Sequence, residues 1–326
     1  MKRSRERTHE EVLTLDAEDY RTTYEAEVEA AKKKADGPTS RAKRGSSRPP
    51  TTATLLKVIR DPEARTPDRT AAIGELSPQA RSQGKVIETL IALLADTEDS
   101  PAVRTAALAV LGELSFAVGE FQPHRSAYRD ALRAAATDPD RKLRERVLEI
   151  LALQGDEYAQ RLIVEGLQEP SQALIHERKA VQYLSYDVHG EHQDVLRDVI
   201  DRSANKHVRN GALRMLAADS GSKDLFAQIV QDKDEDVEAR SISAVALQSL
   251  APDEFASVAR DVVLDDDDDD EVRAALLTAL RQDERRYDSD LGAELSRRQP
   301  TMRSAPLAKA AGEYITRSTE PDGEPG

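Results

Sequence analysis

The sequence predicts an all-α protein, a right-handed α-solenoid of about seven to eight helix pairs. Three observations predict it. A nine-residue pattern occupies 103–111, 143–151, 208–216 and 272–280: an aliphatic residue opens, Arg follows, an apolar or small pair sits four and five residues on, and Leu closes at eight. On a helix those offsets fall on one face. Weaker copies start at Asp68, His176 and Val237, so the starts at 68, 103, 143, 176, 208, 237 and 272 lie 29 to 40 residues apart, the length of a two-helix unit. Aromatics make up only 4% of the chain and Trp is absent, which suits a core of small aliphatics between closely stacked helices. One face of one short helix cannot fold alone, so a repeating face implies neighbours that bury one another.

The elements follow in order. Residues 1–34 form a charged N-terminal arm, in which 9–34 has the thin apolar stripe of a partner-dependent helix. Residues 35–50, with Gly37-Pro38, Gly45-Ser-Ser and Pro49-Pro50, form a flexible basic linker. The repeats occupy 51–317. Their first helices are predicted at 52–60, 85–95, 126–137, 157–168, 191–202, 223–231 and 253–264. Each is followed by a polar turn and then the patterned helix. The turns are rich in Asp, as at 96–101, 138–140, 232–236 and 265–270, where carboxylates accept the orphan N–H groups of the next helix. After Leu280 the pattern decays, and 288–317 reads as a terminal capping pair with Pro306 interrupting or opening its second helix. The tail from Ser318 to Gly326 is disordered by composition.

The Asp-rich turn followed by Val-Arg and a small/Leu helix resembles the HEAT repeat, in particular the short bacterial form also seen in phycobilisome-lyase-like repeats. The resemblance covers about residues 51–317. It implies an armadillo-like helical architecture and carries no activity with it.

The totals limit the function. A net charge of −14 disfavours non-specific nucleic-acid binding by the body of the protein. Without Cys there is no disulfide and no thiolate metal site. The charged N-terminus lacks the apolar stretch of a secretory signal, and no run approaches the ~20 apolar residues of a membrane span. The expected setting is cytoplasmic. No Gly-rich phosphate loop, nucleophile elbow or Cys/His metal set is found, so neither a cofactor nor catalytic residues are assigned.

Two sets of basic residues stand out. Arg69, Arg104, Arg144, Arg209 and Arg273 fall within the apolar sector and need carboxylate or carbonyl partners, which the Asp-rich turns supply: a ladder of structural ion pairs. The resemblance implies the same structural role. On the opposite sector, Arg146, Arg178, Lys179, Arg214, Arg240 and Arg281 form a basic stripe in successive units, interrupted by Glu145 and Glu149. In HEAT-like solenoids second helices line the concave face. The stripe therefore suggests partner binding, most simply to an anionic protein segment, by a non-enzymatic scaffold or adaptor.

Other readings compete with it. The six carboxylates at 265–270 lack EF-hand spacing, and Val237 stands where the acidic turn at 232–236 would need Gly. Both turns read as solvated helix caps. The fourth unit gathers His176-Glu177, Tyr183, Tyr186, Asp187, His189, Glu191 and His192. HEAT-repeat di-iron hydroxylases use several His-Glu pairs. Only one such pair lies within these repeats, so a metal-dependent enzyme or lyase-type accessory is the second reading. Nucleic-acid backbone binding through the stripe and basic linker is the third. HEAT-like DNA glycosylases work with aromatic residues, including Trp, which this chain lacks.

Overall fold

The computed structural model describes residues 50–116, 118–187, 190–282 and 287–317. The expected arm at 1–34, the linker at 35–50 apart from Pro50, and the tail at 318–326 lie outside the described residues. The chain divides into two units between Thr51 and Thr52, and every described helix belongs to the second.

All regular structure among the described residues is helical. The first pair is α1 (Thr52–Arg60) and α2 (Thr66–Gly74). A short α3 (Pro78–Arg81) leads to the second pair, α4 (Gly84–Ala95) and α5 (Pro101–Ser115). A short α6 (Val118–Phe121) leads to the third, α7 (Arg125–Ala135) and α8 (Arg141–Leu153). The fourth is α9 (Glu157–Gln168) and α10 (Glu177–Leu184), and the fifth is α11 (Gln193–Arg202) and α12 (Lys206–Leu216). The sixth is α13 (Lys223–Gln231) and α14 (Val237–Leu250), and the seventh is α15 (Pro252–Leu264) and α16 (Asp270–Gln282). The eighth is α17 (Ser289–Arg298) and α18 (Ala305–Arg317). The expected first helices agree with these to within two residues at each end, and Pro306 lies in the first turn of α18, where its missing N–H costs nothing.

The pairs pack in series. Each helix contacts its pair mate, and first helices lie on first helices (α4 on α7, α9 on α11, α13 on α15). Second helices lie on second helices (α2 on α5, α10 on α12, α12 on α14, α14 on α16, α16 on α18). The patterned positions provide the seam: Val103, Ala107, Leu108 and Leu111 in α5 and Val272, Leu276, Leu277 and Leu280 in α16 are all buried. Side-chain caps start many of the helices. Asp140 accepts the N–H of Leu143, Asp236 that of Ala239, and Asp156 those of Tyr158 and Ala159.

Two features depart from expectation. The short helices and 3-10 turns, such as Pro78–Arg81 and Gln122–His124, carry no apolar period; Pro in the first turn fixes φ and starts them. The sixth repeat is also shifted by two residues. Its pattern opens at Ala239, not Val237, and it buries Ala239, Ser243, Ala244 and Leu247 while Val245 is 67% exposed. Small residues at the core positions hide the correct register, and Ile242 and Val245 suggest the wrong one.

The fourth pair is irregular. The segment joining its helices, 169–176, has eight residues, against five at 61–65, 96–100, 136–140, 232–236 and 265–269. Its second helix, α10, has only eight residues. Gly166 lets the segment fold back onto α9: a Cβ there would stand 3.1 Å from the Cα of Ala173.

Candidate functional site

The predicted ladder exists at four of its five expected positions, Arg69, Arg104, Arg209 and Arg273, which share one bond. The arginine near the start of a second helix donates Nε–H to a carbonyl in the last turn of its own pair's first helix. Arg69 reaches Ile59 O at 3.0 Å, Arg104 reaches Leu94 O at 3.1 Å, and Arg209 reaches Ile200 O at 2.9 Å. Arg273 reaches Val263 O at 3.1 Å. Those carbonyls have no partner within the helix, and a cation suits the negative end of the helix dipole. The remaining guanidinium N–H groups take an acid from the turn of the next pair: Arg69 pairs with Asp99, Arg104 with Asp138, and Arg209 with Glu235. Arg273 turns instead to Asp266 and Asp270 of its own pair.

Arg240 belongs to this ladder, which corrects its assignment to the outward stripe. It is 2% exposed, donates Nε–H to Val230 O at 2.9 Å and pairs with Asp268 at 2.7 Å. The two-residue shift of the sixth repeat is the reason. The acidic run is corrected with it. Asp268 is buried as a ladder acid, Asp265 pairs with Lys233 at 2.6 Å, and Asp269 caps α16 through the N–H groups of Glu271 and Val272. The turn is thus more than a solvated cap, because one of its carboxylates ties two pairs together.

Most of the other expected stripe residues are engaged. Lys179 pairs with Glu145 across the third and fourth pairs at 2.8 Å, and Arg281 with Glu313 across the seventh and eighth at 3.4 Å. Arg214 pairs with Glu238 of the next pair, and Arg146 with Glu149 within α8. Arg178 is exposed and makes no ion pair among the described residues. The face is therefore a mixed lattice, and these solvent-exposed pairs each contribute about 0–1 kcal/mol.

Sequence reasoning missed a second set of ties. Arginines on first helices reach the Asp that opens the next pair: Arg133 to Asp156, Arg197 to Asp219 and Arg260 to Asp288. The hydrogen bond to Asp156 holds the Arg133 guanidinium above its ordinary value, and that to Asp288 does the same for Arg260. Burial pushes Asp219 up, but the Ser222 hydroxyl, Arg197 and the Gly221 N–H outweigh it, and the net shift is down. Asp288 behaves likewise through the Leu291 N–H and Arg260. An Arg on a first helix followed by Asp 22 to 28 residues later was the available signal.

The main ladder breaks between the third and fourth pairs. Arg144 does not bond a carbonyl of α7. Its Nε–H goes forward to Leu174 O at 2.7 Å, and Nη1 goes to the Asp138 carbonyl. No carboxylate among the described residues pairs with it. The next ladder position holds Glu177, which reverses the polarity: it takes Arg202 at 3.2 Å and the Ser203 hydroxyl at 2.8 Å. A cleft of about 410 Å³ opens at this break. Leu148, Ile163, Leu167 and Ile175 form apolar walls, and Arg141, Arg144, His176, Glu177 and Arg202 line it as well. Arg141 Nη1 lies 3.3 Å from His176 Nε2.

No family model and no curated protein matches the chain. Among the described residues no group of three His, Asp or Glu is placed to hold a metal, and no helix is long and apolar enough to cross a membrane. Asp187 and His192, between the fourth and fifth pairs, lie 3.4 Å apart, whereas His189 lies outside the described residues.

Proposed function

We propose that the protein is a non-enzymatic scaffold of the HEAT-repeat kind, a right-handed solenoid working in the cytoplasm. In this reading it holds a protein partner along the face made by its second helices. One observation carries the proposal: four junctions between pairs carry the same arginine-to-acid tie, with second helices laid on second helices. Such construction supports a long continuous surface, and it invests its buried charges in joining units. The cations of that surface, Arg178, Lys179, Arg214 and Arg281, favour an anionic partner segment that exchanges with the internal carboxylates Glu145, Glu238 and Glu313.

The test is site-specific photo-crosslinking of the full chain in its own cell extract. A crosslinker replaces Arg178, Arg214 or Arg281 on second helices, or the exposed Asp130, Asp198 or Asp261 on first helices. The reading expects one protein partner crosslinked from the second-helix positions alone. Crosslinking only from the first-helix positions, or from none, overturns it.

A further inference from the structure

We infer that the cleft between the third and fourth pairs is a receptor for a carboxylate carried by an aliphatic peptide segment, whose acid completes the interrupted arginine ladder. The inference rests on the scaffold reading and names where, and by what chemistry, the partner is anchored.

The argument starts from the vacant rung. In the regular part of the ladder each acid stands five or six residues ahead of the next pair's ladder position: Asp99 before Arg104, Asp138 before Arg144, Asp268 before Arg273. The corresponding residue ahead of Glu177 is Gln172, a neutral amide. Arg144 is thus the one ladder arginine among the described residues without a carboxylate, and its Nη2 makes no hydrogen bond among them. It is half-buried, so its charge is only partly screened by water. A carboxylate placed beside it gains a charge-assisted bond in a partly dry setting.

The surroundings select the sign and the body of the ligand. Arg141, Arg144 and Arg202 line the cleft against the single acid Glu177, and Glu177 is already engaged by Arg202 and Ser203. Arg141 also pairs with Glu145 at 3.7 Å and Arg202 with Glu177, so Arg144 is the cation of the cleft left without an acid among the described residues, on a chain whose net charge is −14. Beside the charges, half-buried Leu162 and Leu174 and exposed Pro170 and Ala173 provide apolar surface over the buried Leu148, Ile163, Leu167 and Ile175. A phosphate alone would leave the surface of Leu162, Pro170, Ala173 and Leu174 uncovered, whereas an Asp or Glu flanked by Leu, Ile or Val meets both the arginine and that surface. At about 410 Å³ the space takes two or three side chains, within the usual range of a ligand pocket.

The test uses terminally blocked hexapeptide pools in which one Asp or Glu is flanked by aliphatic residues. Matched Asn or Gln pools and hexanoate serve as comparators. Affinity for the full-length protein is measured by calorimetry. Hydrogen exchange of the same protein reports where protection appears. The expected result is at least about tenfold tighter binding of the acidic pools than of the amide pools. Protection should be gained at 138–144 and 169–177, and R144Q should lose the discrimination. Equal binding of acid and amide pools, or no binding at millimolar concentration, overturns the inference. So does protection elsewhere, or discrimination that survives in R144Q. Hexanoate binding as tightly as the peptides assigns the cleft to a free carboxylic acid and overturns the peptide. If R144Q does not fold, exchange on the parent protein decides. Failure here with crosslinks still confined to the second helices removes this anchor but leaves the scaffold; failure of both removes the scaffold.

Discussion

The junction between the sixth and seventh pairs and the junction between the third and fourth both lay second helix on second helix, yet they differ in the arginine rung. In the former, Arg240 and Asp268 are both buried, and Arg240 also satisfies a helix-end carbonyl. In the latter, Arg144 meets only carbonyls and the cleft opens. The difference shows two states of the same arginine: with its acid it is buried between two pairs, and without it, at Arg144, a cleft lies beside it. The longer segment at 169–176 and the eight-residue α10 accompany the missing acid.

The comparison breaks most visibly if both arginines are removed in turn. R240M leaves Asp268 buried without its cation, held only by the Asp269 N–H among the described residues, and is expected to cost about 3–5 kcal/mol. R144M strands no carboxylate and should cost about 1–2 kcal/mol, the value of its bonds to carbonyls. The double change R240M/D268L should recover much of the loss, since an apolar pair of similar volume replaces the buried charges. Urea unfolding followed by circular dichroism, with hydrogen exchange to locate any partial opening, measures all three. Equal costs for the two single changes would end the distinction between sealed and open junctions.

A smaller effect tests the vacancy itself. Q172D supplies an acid at the same count ahead of the ladder position as Asp99 in the regular pairs. It is expected to stabilise the protein by about 1 kcal/mol and to slow exchange at 169–177. No change in either would mean that the segment's path, not its missing charge, keeps the cleft open.

The regular junctions were legible in the sequence because their side chains repeat. Val103, Leu108 and Leu111 mark the buried face, and Arg104 followed by an Asp-rich turn marks the rung. Arg240 was misplaced because Ala239, Ser243 and Ala244 fill their core positions without looking apolar, so Ile242 and Val245 dominate the apparent period. The ties from Arg133 to Asp156 and Arg260 to Asp288 join first helices, which carry no repeating motif to fix their register. The cleft was invisible for a further reason. It lies where the sequence has Gln172 at the count of an acid and where Arg144 turns toward Leu174. The fourth repeat stands out in the sequence for its histidines, although its unusual ladder residue, Glu177, is what shapes the site.

Gly166 offers a finer probe of the open junction. G166A gains helix propensity worth about 1 kcal/mol, but the new methyl meets the backbone of Ala173 at 3.1 Å. The segment must retreat by a few tenths of an ångström. The expected net change in stability is below about 1 kcal/mol, with faster exchange at 169–176 and weaker binding of the acidic peptide pools. At Gly112 a Cβ would meet nothing within 4 Å, so G112A should stabilise a regular pair without changing binding.

The smallest effect concerns the second set of ties, which is shared by both kinds of junction. Arg133–Asp156 clamps the open third-to-fourth junction, while Arg197–Asp219 and Arg260–Asp288 duplicate or extend the clamping elsewhere. Asp219 and Asp288 are held below the ordinary carboxylate value. Their contribution is therefore complete above the unfolded value, about 3.9, and is lost as pH falls through the lower folded values. Replacing them, as D219N/D288N, should lower the thermal midpoint modestly at pH 6 and flatten its fall as pH drops below about 4 relative to the parent. An unchanged acid limb would show that these carboxylates titrate alike in the folded and unfolded chains. It would leave the buried rungs, with Asp138 and Asp268, as the ionic ties that matter to stability.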